Sequence, residues 1–367
     1  MVKKIIFALI AVISVICIFV IGFRIYWQIK SSTDLLNKLD TDFEKERGEK
    51  EAILLIESSD SSKSHIVTNK MEENQPIMLA SVTKLYTHSV IYSMVDEGLI
   101  DLQNPISYYL EESKWKGINV VSGIDYSDKI TVKMLLDQNS GIVDYETDFK
   151  KDESIIEKAK REDFSLSELE AIGLTKKLEG RFKPGENKGY YSNLNAILLG
   201  LIAEKVSGEP LVNLYEKYIF KPLKLSNTMV ISVDNSVVPY LKSQKASRYL
   251  YASSAVAAGG LVSNVRELMI FLKAFNQGVL FQKSHLTDSD FNNIQFFPLK
   301  YGAGMMSVEM PFILSPLYDA PQILGHSGMS GSFAFYCPSK DLYIVGSLNE
   351  YEANPYSWIY KYLNAMK

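Results

Sequence analysis

The chain has 367 residues, of which 47% are hydrophobic and 22% charged; 43 acidic and 39 basic side chains leave a net charge of −4. That length holds one large domain or two smaller ones around a sizeable core, and the mixed signs exclude a nucleic-acid-binding surface. Two distant cysteines, Cys17 and Cys337, offer neither a disulfide framework nor a CxxC metal pair.

The first segment, "MVKKIIFALIAVISVICIFVIGFRIYW", carries an unbroken apolar run from Ile5 to Phe23 with Ser14 as its one polar side chain. As a helix this run spans roughly 28 Å, about the hydrocarbon thickness of a bilayer. Lys3, Lys4 and the terminal amine precede it, which places residues 1–4 in the cytoplasm as a short tip. A cleaved signal peptide has a shorter apolar region ending in small residues, and no A-x-A site follows. The reading is an uncleaved single-pass anchor over residues 5–23 in the cell membrane, with everything beyond it extracellular. Residues 24–50 are charged with a thin apolar stripe at Leu35, Leu36, Leu39 and Phe43, and read as a stalk. Tyr26 and Trp27 suit the membrane interface.

A domain over residues 51–367 follows. Strand patterns at 52–58 and 64–71 come first, then helical periodicity over 78–99, 130–138, 165–178, 193–206, 210–220 and 264–276. Strand patterns return after residue 300, and a helix over 355–366 closes the chain. This order predicts an α/β fold: a sheet built from the N- and C-terminal segments, flanked by helices, with a mostly helical insertion.

Three short stretches carry the chemistry. In "MLASVTKLYTHSVIYSMVDEGL" (78–99), Ser81 and Lys84 lie one turn apart at the start of an apolar helix, where serine ordinarily serves as an N-cap. A second Ser–Lys pair of the same spacing, Ser113 and Lys116, lies in a polar segment without helical periodicity, so spacing alone is weak. In "KPGENKGYYSNLNAILLG" (183–200), a Pro/Gly loop delivers Tyr191, Ser192 and Asn193 to a helix start. Ser192 or Asn193 suits the cap, while Tyr191 and Asn193, two apart in an extended loop, face one cleft. In "ILGHSGMSGSFAFY" (323–336), His326 stands beside Gly325, Gly328 and Gly331. A serine hydroxyl needs a base. Lys and Tyr, with free pKa values of about 10.4 and 10, must be perturbed to serve, and each perturbs the other when they are adjacent. The Ser81 backbone N–H and a strand N–H near Met329 supply a place for an oxyanion, and Asn193 is placed to hold a substrate amide or to order the lysine.

Ser81-Val82-Thr83-Lys84, Tyr191-Ser192-Asn193 and His326-Ser327-Gly328, in this order, resemble the S-x-x-K, Y-x-N and H/K-x-G signatures of serine hydrolases of the class C β-lactamase and D-alanyl-D-alanine carboxypeptidase family. The similarity runs from about residue 52 to the C-terminus. It implies an active site between a sheet and a helical region, with Ser81 acylated, Lys84 and Tyr191 sharing base work, and Asn193 binding substrate. His326, Gly328 and Met329 would line the strand wall, and no metal or organic cofactor is implied. Class C β-lactamases carry lysine where His326 stands, and histidine is more similar to the carboxypeptidase, esterase and D-amino-acid hydrolase branches. Asp137 and Asn139 stand where relatives often have His and Thr.

The expectation is therefore an anchored hydrolase acting through an acyl-enzyme on a D-alanyl-containing envelope substrate. That substrate is a peptidoglycan peptide for a D-Ala-D-Ala carboxypeptidase, or D-alanylated teichoic acid for an esterase. A β-lactamase and a non-catalytic envelope or antibiotic-binding protein using the same pocket are the alternatives.

Overall fold

The computed structural model describes residues 2–150, 154–159, 161–231, 249–287 and 289–367. Its frame is an eight-stranded antiparallel sheet: β1 (Ala52–Ser58), β2 (Ser64–Asn69), β3 (Asn292–Asn293), β4 (Leu299–Gly302), β5 (Met305–Val308), β6 (Ile323–Ser327), β7 (Ser332–Cys337) and β8 (Leu342–Ser347), in the spatial order β2-β1-β8-β7-β6-β5-β4-β3. The N- and C-terminal segments meet where β1 pairs with β8, Ile53 opposite Ser347 and Ser58 opposite Leu342. This is the sheet the sequence predicts, with the helical insertion between β2 and β3.

Alternation along the central strands divides the core in two. Ile53, Leu55, Tyr343 and Val345 face the insertion, packed with α3 (Thr83–Asp96), α4 (Asn193–Ser207) and α5 (Val265–Gln277). Leu54, Ile56, Leu342 and Ile344 face the other way, against the closing helix α6 (Tyr356–Ala365). Buried on both faces, β8 needs its continuous run "LYIVGS".

The N-terminal region departs from expectation in one respect. Helix α1 (Val2–Ile29) contains a stretch, Leu9–Ile29, long and apolar enough to cross a membrane. Residues 32–47, however, are not a free stalk. Ser31 caps helix α2 (Ser32–Arg47), and its thin apolar stripe, Leu35, Leu36, Leu39 and Phe43, is buried on the sheet beside α6. The charged residues that suggested a stalk occupy the opposite face of the helix. Phe43 is fully buried, edge-on to Trp358 at 4.9 Å between ring centroids. Phe43→Ala is expected to cost about 3–5 kcal/mol of stability, read as a lowered urea midpoint. A free stalk would give no change.

Candidate active site

Ser81 does not cap a helix. It lies in a 3-10 turn, Ala80–Val82, that runs into α3, and no side-chain cap closes either element. Its hydroxyl is therefore left for Lys84. Ala80, just before it, has φ +43°, a left-handed conformation that costs an L-residue about 1–2 kcal/mol. The surroundings hold it there. The hydroxyls of Ser330 and Ser332 donate to the Met78 and Leu79 carbonyls, each at 2.6 Å, and the Leu79 N–H donates to the Leu261 carbonyl at 2.9 Å.

Lys84 is fully buried on α3. Its Nζ donates to Ser81 Oγ at 3.1 Å, to Asn193 Oδ1 at 2.7 Å and to the Ala258 carbonyl at 2.8 Å. The same ammonium lies 5.1 Å from the centroid of the Tyr191 ring. Burial pulls its pKa down to about 8, against the Glu146 and Asp144 carboxylates, which raise it.

Ser192 takes the cap of α4, its Oγ accepting the Leu194 N–H, which leaves Tyr191 and Asn193 to line the cavity beside Ser81. Tyr191 packs among Phe296, Tyr301 and His326 with ring centroids about 6 Å apart. Its hydroxyl is buried without a hydrogen bond of normal geometry. Burial pushes the phenol pKa far up, nearby Ser81 opposes the rise, and the Asp144 and Glu146 charges add to it. Tyr191 is therefore a neutral phenol near neutrality, although its place beside Lys84 had suggested a tyrosine perturbed to share the base work.

His326 is fully buried and is not among the cavity-lining residues, whereas Ser327, Gly328 and Met329 are. Its Nδ1 bonds the Ser327 carbonyl at 2.7 Å, which makes Nδ1 the protonated nitrogen. Burial, and then the charge of Lys84, hold its pKa well below the usual range, so the ring is neutral. It backs Tyr191 rather than facing the cleft. Gly328 has a steric reason: a Cβ there would lie 2.4 Å from Ser332 Oγ and 2.5 Å from the Leu79 carbonyl. Gly328→Ala is expected to destabilise the fold by about 1–3 kcal/mol and to displace the turn that carries Ser81, measurable as a lowered melting temperature.

Two residues that sequence reasoning missed complete the site. The Asn193 N–H donates to Asp144 Oδ1 at 2.9 Å, and Asn193 Nδ2 donates to Glu146 Oε2 at 2.9 Å. Asn193 thus bridges Lys84 and an acidic pair, which fixes its amide orientation. Both carboxylates line the cavity. Burial and then the neighbouring Glu146 push the Asp144 pKa up. The signal was two carboxylates in an otherwise apolar run, "GIVDYE". Asp137 has a structural place, accepting the Ala303 N–H at 2.8 Å and pairing with Lys133. Lys116 pairs with Glu112 at the surface, away from the site.

The cavity encloses about 390 Å3. Its described lining includes the acidic side chains Asp144, Glu146 and Glu352 and no Lys, Arg or His. Among the described residues, no group of three His, Cys, Asp or Glu side chains gathers to hold a metal ion.

The family model described as Beta-lactamase matches residues 60–357. Curated relatives include an N-acetylmuramyl-L-alanine amidase of Bacillus subtilis, 29% identical over 44% of this chain and 34% of the relative. A putative D-alanyl-D-alanine carboxypeptidase of Salmonella agona is 30% identical over 41% of this chain and 33% of the relative. The matched region spans about a third of the length of these relatives. A crystal structure of a D-stereospecific amidohydrolase from Streptomyces sp. superposes with a TM-score of 0.71 at 25% identity, covering 92% of this chain and 98% of that one. The D-amino acid amidase of Ochrobactrum anthropi gives 0.69 at 20% identity, covering 90% and 97%. With a match across most of its length and the fold of these hydrolases, the chain belongs to the beta-lactamase family of serine hydrolases.

Proposed function

We propose that this chain is a membrane-anchored extracellular serine hydrolase that takes a D-aminoacyl group with a free ammonium onto Ser81, and that a D-alanyl ester of an envelope polymer is the substrate that fits best. The observation that carries this reading is the acidic pair. Asp144 and Glu146 line the cavity beside Asn193, and no described lining residue is cationic. A D-Ala-D-Ala peptide or a β-lactam brings a carboxylate and an acylated amine, and meets acidic side chains with no cation among the described lining residues, Lys84 lying buried behind Ser81. A D-alanyl ester brings an ammonium, whose charge favours the ionised forms of Glu146 and of Asp144, the latter otherwise raised by burial to about 7. The names of two structural neighbours, a D-stereospecific amidohydrolase and a D-amino acid amidase, agree with a D-aminoacyl substrate. The intact Ser81–Lys84 hydrogen bond favours catalysis over a binding role alone.

In the reaction, Ser81 Oγ attacks the acyl carbonyl as its proton passes to neutral Lys84. The oxyanion lies against the Ser81 and Met329 N–H groups. Tyr191, a phenol, protonates the departing alkoxide and regains its proton from the Lys84 ammonium. The alcohol leaves, and water repeats the steps on the acyl-enzyme to release D-alanine. Asn193 orders Lys84, while His326 and Gly328 support the wall. The test offers the full chain, reconstituted in nanodiscs, D-alanylated lipoteichoic acid and an N-acylated D-Ala-D-Ala peptide. Ser81-dependent D-alanine release from the first and not the second is expected. Release from the peptide alone would make the enzyme a carboxypeptidase and overturn this reading.

A further inference from the structure

The loop between β5 and β6 ends in an ordered apolar tip. Phe312, Ile313 and Leu314 are 63%, 83% and 54% exposed, in a turn closed by the Leu314 N–H on the Pro311 carbonyl at 2.8 Å. Three bulky apolar side chains in succession at the end of a loop are costly in water and ask for a partner.

That tip is fastened to the end of α1. Arg24 Nε donates to the Pro316 carbonyl at 3.0 Å, its guanidinium pairs with Asp319 at 3.1 Å and lies 5.3 Å from the Phe312 ring centroid. Phe23 and Trp27 both meet Tyr318 edge-on, at 5.4 and 4.9 Å. From the other side, Lys367 Nζ donates to the Trp27, Gln28 and Lys30 carbonyls at 2.6–2.9 Å, closing the C-terminal end of the helix. Trp27 is buried in the domain core. The apolar stretch of α1 reaches Ile29, but Trp27 is already buried in the domain and the unbroken run ends at Phe23, so Arg24 marks the level of the lipid headgroups, and the tip sits at that level.

We infer that Phe312, Ile313 and Leu314 form a second membrane contact, inserted into the outer-leaflet interface beside α1, so that the domain is held on the bilayer in one orientation. Lipid is the occupant because the tip touches the apolar helix itself where that helix leaves its hydrophobic run. The consequence concerns the substrate. The Lys367 clamp and the cavity stand at opposite ends of α6, since Tyr356 lines the cavity. Ten helical residues span ~15 Å. The cavity is thus held within reach of a polymer anchored in the same leaflet, which rests on the anchor reading above and narrows its substrate to the lipid-linked kind.

The test labels the full chain with an environment-sensitive fluorophore, in nanodiscs with and without lipids that carry a quencher in the upper acyl chain. Ile313→Cys and Leu169→Cys are each made in a Cys17→Ser background, where Cys337 is buried; Leu169 is 63% exposed on the helical region. A blue-shifted, quenched signal at 313 and a water-like one at 169 are expected. A signal at 313 as water-like as that at 169 overturns the inference. Native Cys17, labelled in the unsubstituted chain, reports on α1 separately. Quenching at 17 without quenching at 313 keeps the anchor and removes the second contact; no quenching at 17 removes both. None of these readouts depends on hydrolysis, so a catalytically silent protein leaves the test intact.

Discussion

Lys84→Met is expected to slow acylation of Ser81 by about 10²–10⁴-fold while leaving a folded protein. The lysine is fully buried and its pKa is lowered to about 8, chiefly by that burial. With neutral lysine as the proposed base, its active fraction is about a tenth at pH 7 and about a half at pH 8. The acylation rate should therefore climb roughly tenfold per unit below pH 8 and level off above it. Tyr191 stays protonated throughout this range, because burial carries its pKa far higher. A neutral activated ester is the right probe, since no substrate amine then titrates. Methionine fills the volume of the buried stem and removes the cost of burying an amine. It also leaves Asn193 Oδ1 and the Ala258 carbonyl without that donor, a loss of about 1–3 kcal/mol each way. The two effects oppose, so melting should move little beside the loss of rate. Lys84→Arg gives a second view: the cation remains for Asp144 and Glu146, but guanidinium does not deprotonate. Acylation at the wild-type rate in either variant would place the base elsewhere.

The polar signatures were readable because each sets a side chain beyond what a helix cap needs. Ser81 and Lys84 begin an apolar helix, and Tyr191 precedes a helix that Ser192 already caps. The sheet was readable from strand patterns at both ends of the chain, which β1 and β8 unite. What escaped depended on tertiary neighbours. The stripe Leu35, Leu36, Leu39 and Phe43 was visible, but it is buried between the β1–β2 face of the sheet and α6, and α6 comes from residues about three hundred positions later. His326 read as a cleft residue because strand alternation does not say which face meets solvent. Asp144 and Glu146 were not singled out, because only folding brings them onto Asn193 and makes their burial meaningful.

Glu146→Gln tests the substrate reading at its centre. Glutamine keeps the shape, and its side-chain oxygen still accepts the Asn193 Nδ2 hydrogen that Glu146 Oε2 takes at 2.9 Å. What is lost is one negative charge in a cavity whose described lining has no cation. A D-alanyl ester, bound through its ammonium, should lose on the order of tenfold to a hundredfold in kcat/KM, mostly through KM. The N-acetylated ester has no ammonium and should hold its rate or improve. The same change has a second consequence of fixed sign. Glu146 raises the pKa of Lys84, so removing its charge lets burial pull that pKa lower. The rising limb of the pH–rate profile, measured with the neutral ester, should move toward acid. A purely structural disturbance would lower both substrates together and leave the limb in place. An equal loss on amine-bearing and acetylated substrates, with no shift of the limb, would mean that the acidic pair holds Asn193 in position and does not choose the substrate.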